Sequence, residues 1–89
     1  METLMKFYEG DEVRIKEEKI SSLFYSNPEY LEEDGITKPE IFLKRTTGIV
    51  IECDWDKRKK EWSHFIEFKD KTSHGLVRLW FLESELNLI

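Results

Sequence analysis

One cysteine, two prolines and four glycines are all that this 89-residue chain holds of the residues that staple or break a fold. A single Cys53 excludes an internal disulfide and suits a reducing compartment. No apolar run approaches the ~18 residues of a membrane helix, and no basic opening leads into an apolar stretch as in a secretion signal. The expectation is a soluble cytoplasmic protein with no membrane association. No P-loop, Gly-x-Gly-x-x-Gly, Cys-x-x-Cys or His-x-x-x-His pattern occurs. Cys53, His64 and His74 are the only soft metal ligands, too few for a four-ligand structural zinc site, so no metal and no cofactor are expected. Positive charge is also short. Fourteen Lys and Arg against nineteen Asp and Glu leave −5, which disfavours nucleic acid, whose binding rests on neutralised phosphates.

Aromatic residues are plentiful at 13 %, more than the interior of a small fold readily holds, so some belong on the surface. No repeat, linker or low-complexity tract divides residues 1–89, which read as one domain.

Strand patterns dominate. Glu12-Val13-Arg14-Ile15-Lys16 alternates with period two. After Gly48, the segments 49–54, 62–68, 76–81 and 86–89 follow with short polar tips between them. In the third segment Trp62, His64, Ile66 and Phe68 share a side, and in the fourth Val77, Leu79 and Phe81 do. Val13, Ile51, Ile66 and Leu79 are expected in one core. Leu82 to Glu85 reads as a tight helical turn.

The stretch 17–46 is too long for a structureless loop. It carries two helix starts, Asn27-Pro28-Glu29, which runs to a stop at Gly35, and a Thr37–Glu40 capping box. The predicted fold is mainly β, a single five-stranded antiparallel barrel with a partly helical insert after the first strand.

Phe7-x-x-Gly10-Asp11-x-Val13-Arg14, Thr47-Gly48-Ile49-Val50 and Trp80-x-x-x-Ser84-x-Leu86 resemble the opening, middle and close of SH3-like small barrels. Among these are the C-terminal barrel of nitrile hydratase β-subunits, a small accessory protein of photosystem I and the variable chain of ferredoxin–thioredoxin reductase. Phe42-Leu43 followed by Thr47-Gly48-Ile49-Val50 is similar to a barrel-shaped bacterial antirepressor that mimics DNA. The resemblance spans residues 7–16 and 42–89, and implies an SH3-like barrel acting as an accessory component of an electron-transfer or hydratase complex, or as an antirepressor.

The residues themselves point to a non-enzymatic protein-binding module. Its candidate anchors are Tyr25, Tyr30, Trp55, Trp62 and Trp80, set in a charge-polarised rim. Lys57, Arg58, Lys59 and Lys60, bracketed by Trp55 and Trp62, form a basic hairpin tip. That tip supports an alternative reading as a nucleic-acid contact. The acids of Glu29 to Glu40 support another, an acidic decoy for a DNA-binding protein. With the hairpin turning at Lys57–Arg58, Cys53 falls opposite Trp62 and His64 opposite Ile51. Cys53 and His64 then meet only diagonally, and no catalytic residue is expected.

Overall fold

Period-two alternation runs further along the chain than its sequence suggests, and it builds one sheet. The computed structural model describes residues 4–26, 35–36 and 38–89, the side chains of 23–26 excepted. Its elements are β1 (Glu12–Ile15), α1 (Glu17–Ser26), α2 (Pro39–Arg45), β2 (Gly48–Asp56), β3 (Glu61–Thr72), β4 (Gly75–Leu82), a 3-10 turn (Glu83–Glu85) and β5 (Leu86–Leu88). The five strands are antiparallel to their neighbours in the order β4-β3-β2-β1-β5. Hydrogen bonds do not close this sheet on itself, so β4 and β5 are its edges.

One face carries the core. Val13, Ile15, Val50, Ile66, Phe68, Val77, Leu79, Phe81 and Leu86 are buried from the sheet, joined by Phe7, Ile20, Ile36 and Leu43. Three of the expected core residues are there, but Ile51 is not. The register between β2 and β3 shifts between Val50 and Glu52. This bulge leaves Ile51 without a partner on β3 and turns Val50 inward in its place.

Gly48 faces the inner side where β2 crosses β3. A Cβ there would run into Ile66 Cγ2 and lie 3.0 Å from the Glu67 carbonyl oxygen. Gly75, at φ +101°, makes the turn into β4 in a conformation that other residues avoid. With that turn confined to Ser73–His74, β3 extends to Thr72, past the expected end at Phe68.

The described part of the insert holds two helices. Helix α1 has Glu17 and Glu18 in its first turn, favourable beside the helix N-terminus, and buries Ile20. Lys16 precedes it in place of the usual capping side chain, so this start carries little local signal. The Asn27-Pro28-Glu29 start and Thr37 lie outside the described residues. Helix α2 begins with Pro39 as its first residue and caps on Lys38 without a side-chain bond. Glu40 Oε1 accepts a 3.4 Å bond from Ser21 Oγ on α1. Helices α1 and α2 pack together, and α2 packs on β1. No helix among the described residues is long and apolar enough to cross a membrane.

Candidate functional site

The most developed polar constellation grows out of the β2–β3 register. Asp56 caps the hairpin tip: its Oδ1 accepts the amides of Arg58 and Lys59 at 2.9 Å, and its carbonyl accepts Lys60 N–H at 2.8 Å. Asp56 and Glu61 are therefore the last pair, and Lys57 to Lys60 form a four-residue tip. This longer tip moves the register two residues from the expected one. Cys53 faces His64, and Trp55 faces Trp62. The expected diagonal relation of Cys53 to His64 is thus corrected to a direct one.

His64 is fully buried and satisfied on both ring nitrogens. Its Nδ1 lies 3.2 Å from Cys53 Sγ, and its Nε2 lies 3.0 Å from Glu83 Oε2 in the 3-10 turn. The same Glu83 oxygen accepts the Lys6 amide at 2.9 Å. Phe7 meets the imidazole edge-on at 5.5 Å. Glu83 Oε2, which already accepts the Lys6 amide, is the partner of Nε2, and Nδ1 and the thiol share the second contact. Cysteine, histidine and carboxylate thus stand in the order of nucleophile, base and orienting group.

Electrostatics work against that chemistry. Burial, then the carboxylates of Glu9, Glu83 and Asp11, push the Cys53 thiol above its ordinary range, so it stays protonated. Reactive thiols sit instead in electropositive surroundings. Cys53 and Glu83 occupy opposite nitrogens of the ring, so their donor atoms diverge. No metal-holding group of three or more His, Cys, Asp or Glu occurs among the described residues. The row ties β2, β3, the 3-10 turn and the N-terminal segment together. Glu83 escapes a reading of the sequence because nothing local to it signals burial.

Of the expected aromatic anchors, Trp55 and Trp62 form an edge-to-face pair, centroids 5.6 Å apart, at the base of the basic tip. Both are half-buried. They continue the inner-face row beyond Cys53 and His64. Trp80 lies on the other face, stacked on Phe65 at 4.9 Å, so the sheet separates it from the other two tryptophans. Tyr25 belongs to α1, but its side chain lies outside the described residues, as does the whole of Tyr30. Most of the acidic stretch from Glu29 to Glu40 lies outside them too.

Lys57, Arg58, Lys59 and Lys60 are all exposed, and none forms an ion pair among the described residues. Lys60 has a left-handed backbone, φ 55°. Below the tip, Glu61 Oε1 and Oε2 accept the amide and hydroxyl of Ser84 at 2.9 and 3.2 Å. This fixes the hairpin to the 3-10 turn.

A concavity of about 230 Å³ sits at the far end of β3, lined by Ile36, Lys38, Phe42, Arg45 and Lys71 among others. Its signal is present in the sequence, since Lys38, Phe42 and Arg45 follow helical spacing. One wall is partly neutralised, because Arg45 Nη2 lies 3.8 Å from Asp70 Oδ2. No protein-family model, curated protein or solved structure matches the chain.

Proposed function

We propose that this protein is a non-enzymatic binding module of SH3-like barrel type, which captures a protein partner at the Trp55–Trp62 end of its sheet. The strand order, with a 3-10 turn leading into β5, supports the barrel reading. The observation that carries the function is a tryptophan pair one residue pair below a tip of four cations, which form no ion pair among the described residues. Half-buried rings lose little entropy on contact and supply much apolar area, as interface anchors do. Lys57 to Lys60 sit at the end of a hairpin that carries Asp54, Asp56 and Glu61 below them, so the rim has both signs of charge and orients an acidic protein segment towards the tip. The protonated, acid-flanked thiol supports a role without covalent catalysis.

Single-stranded nucleic acid is the second reading, favoured by the same pairing of cations with indoles. The net charge of −5 weighs against it. A fluorescence titration with a glutamate-rich peptide containing one leucine, and separately with oligothymidylate, separates the two. Peptide binding lost in Trp55→Ala, with weak or absent oligonucleotide binding, supports the protein reading. Oligonucleotide binding that weakens steeply with salt, and outcompetes the peptide, overturns it.

A further inference from the structure

Among the described residues the β4 edge is unpaired and mostly apolar, and its guards are few: one charge, Arg78, and a register shift in β3 between Glu67 and Lys71. Its strand Gly75-Leu76-Val77-Arg78-Leu79-Trp80-Phe81-Leu82 contains no proline and no inward-pointing charge. Leu76 and Trp80 are 48 % and 44 % exposed on its outer face. No backbone group of Leu76 to Phe81 bonds to any described residue outside β3. The Leu82 amide points away from β3, since Glu85 Oε1 accepts it at 2.8 Å. Backbone groups alternate sides along a strand, so the N–H and C=O of Arg78 and Trp80 face the open side as well.

We infer that this edge pairs antiparallel with β4 of a second copy of the chain, about a two-fold axis at Leu79. Residues directly opposite one another share a face of a sheet, so a symmetric axis must fall on a residue. An axis at Arg78 sets two guanidiniums against each other. One at Trp80 runs Leu76 off the end of the strand onto Ser84. The Leu79 axis sets Leu76 against Leu82 and Arg78 against Trp80. Arg78 and Trp80 are the residues with outward backbone groups, so each such pair exchanges two ladder bonds across the interface. Each guanidinium then lies beside an indole of the second copy, a favourable cation–π neighbour.

Charge favours this contact over others between two copies of an acidic chain. The single charge on β4, Arg78, is held by its own Glu67, with Nε and Nη2 each 2.8 Å from Oε1. The edges therefore meet without an unpaired like charge. This surface is separate from the Trp55–Trp62 end, so both can be engaged at once.

Sedimentation equilibrium of the full chain over a dilution series tests the pairing, with circular dichroism reporting the fold. The wild type is expected at twice the monomer mass, falling towards the monomer on dilution. Trp80→Lys removes the exposed indole, and Arg78→Pro removes an outward amide that β3 does not use. Both are expected to be monomeric at concentrations where the wild type and Trp55→Ala are dimeric. Where a variant does not fold, hydrogen exchange of the wild-type Arg78 and Trp80 amides decides, and it is expected to slow as concentration rises. A wild type that stays monomeric, a folded variant that stays dimeric, or exchange independent of concentration overturns the proposal.

Discussion

Cys53 Sγ and His64 Nδ1 stand 3.2 Å apart, directly opposed across β2 and β3, with a carboxylate on the far ring nitrogen. The geometry is that of an assisted nucleophile, and the surroundings hold the thiol protonated. Burial comes first, followed by Glu9, Glu83 and Asp11, and all of them raise its pKa. Iodoacetamide should therefore alkylate Cys53 slowly at neutral pH, with a rate profile displaced above that of free cysteine. Glu9→Gln and Asp11→Asn should each move the profile downwards. A fast reaction at neutral pH would show a stabilised thiolate and reopen catalysis.

Glu83 accepts from both His64 and the Lys6 amide, so its removal orphans two donors. Glu83→Ala should cost about 2–3 kcal/mol in urea unfolding, and His64→Ala, which also opens a cavity, a similar amount. Glu83→Gln keeps an accepting oxygen and should cost less than Glu83→Ala.

Gly48 should tolerate no side chain. A Cβ there meets Ile66 Cγ2 and the backbone of Glu67, and backbone gives way less readily than a side-chain tip. Gly48→Ala should destabilise by about 1–3 kcal/mol by thermal or urea unfolding. At Lys60 the sign reverses. Relief of its left-handed backbone should make Lys60→Gly more stable by up to about 1 kcal/mol, despite the extra entropy of glycine.

Glu85 gives the stability a pH dependence of known sign. Burial raises its pKa above the ordinary carboxyl range, opposed by the Leu82 amide it accepts. The folded state thus binds this proton more tightly than the unfolded state. The group's contribution is fully present below the unfolded carboxyl pKa and is lost as pH rises through the higher folded value. Glu85→Gln keeps an acceptor for Leu82 and carries no charge. It should be more stable than wild type at neutral pH, with the advantage vanishing in acid.

Legibility follows range. Alternation in β1, β3 and β4 reports local backbone geometry, so Val13, Ile66 and Leu79 are readable as core, and the side shared by His64 and Phe68 is readable too. Position along a partner strand is not. A four-residue tip and one bulge set the register, and no local pattern fixes either. A turn at Lys57–Arg58 therefore pairs Cys53 wrongly with Trp62, and even alternation puts Ile51 in the core in place of Val50. Trp62 and Trp80 differ in face, and the alternation that reads the core already separates them, since Trp62 shares the side of Ile66 and Trp80 lies on the side away from Leu79. Glu83 depends on a contact distant in sequence, and the Lys38–Arg45 cleft shows in helical spacing only along one wall, the side with Lys71 being distant in sequence.

The indole N–H resonances of the three tryptophans give the most direct test of the proposed function. Spectra are recorded at fixed protein concentration while the glutamate-rich, leucine-containing peptide is added. The signals of Trp55 and Trp62 should shift together and saturate, with the amides of Lys57 to Lys60 following and Trp80 unmoved. Shifts confined to Trp80, or to residues of the Lys38–Arg45 cleft, would place binding elsewhere and contradict the account.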